Sequence, residues 1–493
     1  MSEIKKVAIA NRGEVAVRVI RACQELGLTS VLLHSKADVN SRAYRMSDEQ
    51  ICIGDSEVGE SYLSIEKNID GVLASGADAV HPGFGFLSEN ADFAKALEEK
   101  GVTFIGPTSE VIQKMGDKIA AKKIIEAAGV PAVPGYNGDD QNIDKLLAEV
   151  EKIGYPVIVK AAAGGGGRGM KVIENKEHAR DMITSAKREG LSAFGSDKVF
   201  LEKYLNNAKH IEVQVFGDLS GNAVHLFERE CSVQRRHQKI VEEAVSGSLS
   251  QDLRNKMTQA AVRLAKEVKY VGAGTVEFLV QDGEFFFLEM NTRLQVEHTV
   301  TELVLGVDLV KAQILTMMNR FAVWDQDILI PRGHAIECRL YAEDPYTVGI
   351  PSTGEIGFQH WPSGPGRRFD YGYDSGDEVT AYYDSMMAKV IVWDENRPRA
   401  IQKMLKTLDD TIIFGVKSNI PLLKQILSHP DFISGEFTTQ FMGENFPNGG
   451  IEESLSEDES VFTQLAFQQS VEAASLNQGE QHKSPWSTSW RNV

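Results

Sequence analysis

Two glutamates flank a tight turn in GTVEFLVQDGEFFFLEMNTR, residues 274–293. Asp282-Gly283 between two apolar runs is a strong hairpin signal. Glu277 precedes the turn and Glu289 follows it at nearly equal distance. Asn291 and Arg293 continue at period two, on the face that Glu289 occupies. Two carboxylates and an amide oxygen held together form a hard-oxygen site, suited to Mg²⁺ shared with nucleotide phosphates. An isolated glutamate pair is usually a solvated sheet face. Here the Asn-x-Arg continuation and the apolar strands favour a site.

A second stretch, AAAGGGGRGM (161–170), raises a question of phosphate handling. Gly164-x-Gly166-x-x-Gly169 satisfies the dinucleotide-binding pattern, and Lys171 stands one place late for a P-loop. Both motifs set their glycines between a strand and a helix, so that the helix N-terminus faces the phosphate. YPVIVK leads in, but GMKVIEN leads out and alternates like a strand. The spacing therefore predicts a glycine flap between two strands, with amides to fold over phosphates, Lys160 at its base and Arg168 within it. Four consecutive glycines cost backbone entropy, which favours a ligand over an idle surface hairpin.

Two further stretches carry polar chemistry. In HIEVQV, His210, Glu212 and Gln214 share one face, a ligand-facing wall when combined with the hairpin. CSVQRRHQKIVEEA gathers Arg235, Arg236, His237 and Lys239, either a solvated charge run or a small-anion site. Nothing near Cys231 marks it as a nucleophile.

The elements that must hold these residues fall into three blocks. VAIA (7–10) reads as a buried strand. Asn11 and Glu14 then stand in capping-box spacing ahead of a helical stripe. Strands and helices alternate to about residue 115, which predicts an open parallel α/β layer. From there to residue 331 the strands lie among helices in an α+β arrangement, and from Arg332 a β-rich unit leads into helices up to about residue 446. The last segment, 447–493, is acidic and rich in Ser and Gln, the composition of a linker or tail.

Composition excludes several classes of function. Hydrophobic residues make up 42% of the chain, enough for real cores. Lys and Arg total 52 against 70 for Asp and Glu, a net charge of −18 that repels nucleic acid and anionic lipid. Four dispersed cysteines form no CxxC pair, so neither a zinc ribbon nor a disulfide framework is indicated. The N-terminus lacks a signal-peptide pattern and no apolar run has membrane-spanning length. The expectation is a cytoplasmic protein with no membrane and no nucleic-acid partner.

The ordered set HPGFGFLSEN (81–90), MGDK (115–118), AAAGGGGRGM, EKYL (202–205), QRRHQK (234–239), EMNTRLQVEH (289–298) and HAIECR (334–339) resembles the signature segments of biotin carboxylases, in the ATP-grasp superfamily. The likeness covers about residues 1–446. It implies a Rossmann-like N-terminal domain (1–115), an ATP-grasp domain (116–331) with a glycine-rich lid subdomain at about 131–204, and a β-rich C-terminal domain (332–446). It also implies a reaction: ATP, bicarbonate and carrier-bound biotin give ADP, phosphate and carboxybiotin.

By the same resemblance, Lys118 and Lys160 hold ATP phosphates under Gly164, Gly165, Gly166, Gly167 and Gly169. Glu202, Lys203 and Leu205 line the adenine pocket, with His210, Gln234 and His237 also on the nucleotide. Lys239, Arg293, Gln295 and Val296 cradle bicarbonate, Val296 through its backbone. Glu277, Glu289 and Asn291 hold Mg²⁺ or Mn²⁺, with two metal sites expected. Glu297 is the general base and Arg339 steadies the biotin enolate. Two departures stand out. Phe84 replaces the tyrosine common in HPGYGFLSEN, removing a hydroxyl near biotin. EHTVTE (297–302) replaces the EHPVTE of many bacterial members, a form also seen in pyruvate carboxylases.

The chain has no AMKM-like biotinylation motif and no carboxyltransferase-length extension. The resemblance therefore implies a biotin carboxyl carrier protein and carboxyltransferase subunits on separate chains, and a homodimeric enzyme. The end SPWSTSWRNV is similar to the junction after the biotin carboxylase part of acyl-CoA carboxylase α subunits, which points to a tether. The leading expectation is the biotin carboxylase subunit of an acetyl-CoA or acyl-CoA carboxylase. The alternative is the ATP-dependent subunit of a two-subunit pyruvate carboxylase. Another ATP-grasp ligase leaves QRRHQK and RLQVEH unexplained, and a non-catalytic scaffold leaves Lys239, Glu297 and Arg339 unexplained.

Overall fold

The computed structural model describes residues 4–451, apart from 162–169, 237, 348 and 448 and the side chains of 118, 119, 122, 193 and 194. The first sheet holds β1 (Lys6–Ile9), β2 (Thr29–Ser35), β3 (Glu49–Gly54), β4 (Ala79–His81) and β5 (Thr103–Phe104) in the order β3-β2-β1-β4-β5. Every pairing is parallel, as the alternation of elements predicts. Val7, Ala8 and Ile9 are all fully buried, because helices cover both faces of such a sheet.

Helix α1 (Gly13–Glu25) follows β1, but not through the expected capping box. Its N-cap is Arg12, and no side chain caps it. Asn11 instead donates through Nδ2 to the carbonyls of Pro82 (2.8 Å) and Phe84 (2.7 Å), fixing the 81–90 loop to the end of β1. Glu14 is buried and faces Lys389 at 3.3 Å. Distant partners thus take both groups away from the local backbone.

A second, four-stranded sheet has the order β6-β9-β7-β8, built from β6 (Gly135–Tyr136), β7 (Val157–Ala161), β8 (Met170–Ile173) and β9 (Val199–Lys203). β7 and β8 pair antiparallel with Lys160 opposite Met170, so a strand does follow the glycine run. The expected flap residues Gly164, Gly165, Gly166, Gly167 and Gly169 lie outside the described residues. Helix α2 (Lys176–Phe194) packs Ala179 and Ile183 onto Val157, Val159 and Leu201, giving this layer a core of its own.

The third sheet has eight strands: β10 (Lys209–Gly217), β11 (Ala223–Arg235), β12 (Gln238–Ala244), β13 (Gly272–Gln281), β14 (Glu284–Asn291), β15 (His334–Tyr341), β16 (Arg367–Tyr371) and β17 (Met386–Asp394). Their order is β14-β13-β10-β11-β12-β15-β17-β16, antiparallel throughout. The sheet crosses residue 331 without a break, since β12 pairs β15 with Glu242 opposite Glu337. Helix α3 (Gln251–Glu267) covers one face, where Ala260, Ala261 and Leu264 meet Val213, Val215 and Val276. Helix α4 (His298–Leu305) lies on the other part of the sheet, and α5 (Arg397–Asp410) packs beside β17.

One glycine sets how closely the first and third sheets approach. A Cβ on Gly372, just past β16, would lie 2.8 Å from the Glu14 nitrogen and from Gly13 Cα. Any side chain there would lift β16 off the first turn of α1. Among the described residues, no helix is long and apolar enough to cross a membrane.

Candidate active site

A cleft of about 1630 Å³ opens between the four-stranded sheet and the β13–β14 hairpin. Its volume is ample for a nucleotide. Lys160, Glu202, Lys203, Leu205, His210, Gln234, Glu289 and Asn291 all line it. Apolar surface comes from Ile158, Leu201, Phe287 and Leu288. Lys160 pairs with Glu202 on the neighbouring strand. Lys203 turns back and donates to the carbonyls of Gly154 (2.8 Å) and Tyr155 (2.7 Å), so it fixes the approach to β7. The Lys118 side chain and His237 lie outside the described residues.

Beyond the cleft the sheet face becomes a buried ionic centre. Lys239 on β12 donates to Glu212 (2.5 Å), Glu277 (2.8 Å) and Glu297 (2.7 Å). Arg229 is fully buried on β11, and its guanidinium reaches Glu212 (2.5 Å), Gln214 (2.7 Å) and Gln295 (2.8 Å). Arg339 on β15 donates to Glu242 (2.6 Å) and Glu297 (3.1 Å). Strand alternation is what aims these groups: Glu212 and Glu277 are register partners, as are Glu242 and Glu337.

The balance of charge explains the protonation of the centre. Burial alone would raise the Glu297 carboxyl, but Lys239, Arg339 and Arg229 hold it well below the usual carboxylate range. Glu277 is likewise lowered against burial, by Lys239 and His210. Burial opposes a charge on Lys239, yet Glu212, Glu277 and Glu297 raise it well above its ordinary value. Three cations, Lys239, Arg229 and Arg339, meet four carboxylates, Glu212, Glu277, Glu297 and Glu242. One carboxylate is in excess, and burial pushes Glu242 up to about 7.

The hairpin carries a donor set that fits a divalent cation. Glu277 and Glu289 are register partners across β13 and β14, with Asn291 two residues on. Glu289 is open to the cleft and, among the described residues, receives no hydrogen bond. Glu277 is engaged: Oε1 accepts from Lys239, Asn291 and Gln295, each at 2.8 Å, and Oε2 faces His210 at 2.9 Å. Glu289 and Glu277, with the Asn291 oxygen, are the residues that would hold such a cation, and it would supply charge neutralisation to nucleotide phosphates. His210, Glu212 and Glu277, and Glu212, Cys231 and Glu297, also converge within 4.8 Å. The Lys239 ammonium already stands among those carboxylates, so charge pairing accounts for both groups.

The structure brings most residues singled out in the sequence to this one face. Arg293 donates to Glu89 (2.9 Å) and to the Asn291 Oδ1 (3.0 Å), joining the 81–90 loop to the hairpin. Gln234 bonds His210 Nδ1 at 2.7 Å. The Val296 carbonyl accepts from Lys389 at 2.9 Å, and the Phe84 ring lies 6.0 Å from the same ammonium. The basic run divides: Lys239 turns into the centre, while Arg235 pairs with Glu343 and reaches the Gly449 carbonyl at 3.2 Å. Sequence reasoning missed Arg229, Glu242, Glu89 and Lys389. For Lys389 the signal was present, a single charge inside MMAKVIVW, where every neighbour is apolar.

Family models match over residues 3–112 (biotin carboxylase, N-terminal domain), 117–319 (carbamoyl-phosphate synthase L chain, ATP binding domain) and 337–444 (biotin carboxylase C-terminal domain). The chain is 48% identical over 433 residues to the biotin carboxylase of Haemophilus influenzae, covering 88% of this chain and 96% of that one. It is 46% identical over 487 residues to the mitochondrial methylcrotonoyl-CoA carboxylase subunit alpha of Dictyostelium discoideum, covering 98% of this chain and 70% of that one. Among solved structures, the biotin carboxylase domain dimer of Hydrogenobacter thermophilus 2-oxoglutarate carboxylase, in complex with MgADP, ADP and bicarbonate, superposes with a TM-score of 0.85 at 44% identity. The match covers 92% of this chain and all of that one, 100%.

Proposed function

The chain belongs to the biotin carboxylase family, whose members are ATP-dependent ligases, and we propose that it serves as the biotin carboxylase subunit of an acyl-CoA carboxylase, most simply acetyl-CoA carboxylase. Its reaction is ATP plus bicarbonate plus biotinyl carrier to ADP plus phosphate plus carboxybiotinyl carrier. The observation that carries the reading is the continuous Lys239–Glu297–Arg339 chain beside a nucleotide-sized cleft.

In this reading ATP lies in the cleft, with its adenine against Glu202, Lys203 and Leu205 and its phosphates toward Lys160 and the hairpin. A divalent cation, Mg²⁺ or Mn²⁺, on Glu277, Glu289 and Asn291 supplies charge neutralisation to the phosphates when bound. Arg293, Gln295, the Val296 backbone and Lys239 hold bicarbonate. When Lys239 turns from Glu297 to bicarbonate, Glu297 loses the first of the cations that keep it acidic, while its burial remains. Its affinity for a proton then rises, which suits a general base acting on the bicarbonate hydroxyl.

The bicarbonate oxygen attacks the γ-phosphorus as the bond to ADP breaks, giving carboxyphosphate, and positioning supplies most of the rate. Carboxyphosphate parts into CO₂ and phosphate. That phosphate takes the biotin ureido proton, and the nitrogen attacks CO₂. The fixed guanidinium of Arg339 faces the developing enolate oxygen. Phe84 lines the biotin side. The working form is a homodimer, by analogy with the dimer of the Hydrogenobacter neighbour. Purified protein with ATP, Mg²⁺ and bicarbonate is expected to release ADP, and free biotin to stimulate that release. No bicarbonate-dependent ADP release would sink the reading.

A further inference from the structure

The turn Gln295–Val296–Glu297 is pinned from several sides, and the least expected pin comes from the far end of the chain. Gln295 is held at its side chain by Glu277 (2.8 Å) and Arg229 (2.8 Å), and its carbonyl faces His298 Nδ1 at 2.7 Å. Glu297 is held at its carboxylate by Lys239 and Arg339. Between them, the Val296 carbonyl accepts from Lys389 at 2.9 Å. Lys389 has no solvent exposure.

The sheet register places this lysine. Lys389 on β17 is the cross-strand partner of Arg339 on β15. The two cations therefore stand side by side and grip consecutive residues, Arg339 the Glu297 carboxylate at 3.1 Å and Lys389 the Val296 carbonyl. Glu14 at the start of α1 lies 3.3 Å from the Lys389 ammonium, and Asp370 on β16 lies 3.9 Å from it. Among the described residues neither Glu14 oxygen accepts a hydrogen bond, although both are buried, and the cation this carboxylate faces is Lys389 at 3.3 Å.

We propose that Lys389 is a positioning residue, which fixes the Val296–Glu297 peptide plane and so sets where the bicarbonate contacts and the Glu297 base point; this rests on the carboxylase reading above. The peptide is planar, so holding its carbonyl oxygen fixes the adjoining Glu297 N–H and the direction in which its side chain departs. A buried charged donor does this without reorganising during the reaction. Glu14 and Asp370 hold the donor in place, and through them α1 and β16 also determine the geometry of the turn.

The test separates positioning from mere structural support. Lys389→Met removes the donor but strands Glu14, and so confounds the two. Glu14→Gln/Lys389→Met also removes the carboxylate that the single change would strand, Asp370 keeps Arg368 as its partner, and the Val296 carbonyl is left without its donor. In the double variant, thermal melting is expected near wild type. KM for bicarbonate is expected to rise about ten- to a hundredfold, the loss of one charge-assisted hydrogen bond, with KM for ATP within about twofold. A double variant with wild-type melting and wild-type KM for bicarbonate overturns the proposal. So does a double variant that stays unfolded, because Lys389 is then structural. If wild-type protein shows no bicarbonate-dependent turnover, the carboxylase reading itself falls, and this proposal with it.

Discussion

Glu297 has 2% side-chain exposure, and Lys239 and Arg339 each take one of its carboxylate oxygens. In the proposed role of base Glu297 must lose one cation, and Lys239 is the candidate because the proposed bicarbonate site uses the same ammonium. Glu297→Gln keeps the shape of the side chain and removes its basicity. Carboxylation is expected to fall by about 10²–10⁴-fold, the usual worth of a positioned general base. ATP affinity, read by nucleotide titration, is expected to change by no more than about threefold, since the nucleotide cleft is lined by other residues. Loss of ATP affinity instead would show that the base is assigned wrongly.

At the scale of elements, β12, β15, α5 and the short helix Pro430–Ser434 meet at one carboxylate. Glu243 accepts from His334 (2.6 Å) and from Arg397 at Nε (2.7 Å) and Nη2 (2.9 Å), while Arg397 also donates to the Phe432 and Ile433 carbonyls. Burial would raise Glu243, but His334 and Arg397 lower it from 4.5 to about 2. A lowered carboxyl stabilises the fold above its unfolded pKa, and that stability is lost as pH falls from 4.5 toward 2. Glu243→Gln is expected to cost roughly 3 kcal/mol at pH 7, and to lose less further stability on acidification than wild type does. Urea midpoints at neutral and acid pH measure both effects; parallel acid slopes in the two proteins would contradict the assignment. How far such elements were legible in sequence depended on range. The hairpin at 272–291, the strand after the glycine run and the polar face of HIEVQV follow from period-two alternation, which is local. The Asn11–Glu14 capping box failed because partners 71 and 73 residues away compete for Asn11 and Lys389 faces Glu14. The pairing of Arg339 with Lys389 depends on a strand order that no local pattern encodes.

At the scale of the whole molecule, every described residue of the candidate site lies within residues 84–389, and the wall of the cleft is completed by residues up to Gly449. Among the described residues, none of those assigned to the site lies beyond Gly449; residues 451–493 form an acidic segment rich in Ser and Gln. From the likeness of SPWSTSWRNV to an acyl-CoA carboxylase junction, we propose that this segment tethers a partner subunit. In the proposed assembly the carrier and transferase lie on other chains and set the acyl acceptor. Ending the chain after Gly450 is expected to leave ATP turnover with free biotin within about twofold of the full chain, as a unit with its own core allows. Capture of the carboxyltransferase subunit by the shortened chain is expected to fail. Mass spectrometry of what the full chain captures identifies that subunit, and adding acetyl-CoA, propionyl-CoA or pyruvate to the captured complex reads the acceptor. Equal capture by both chains would remove the tether, and carboxylation of pyruvate alone would replace acyl-CoA carboxylase with the two-subunit pyruvate enzyme.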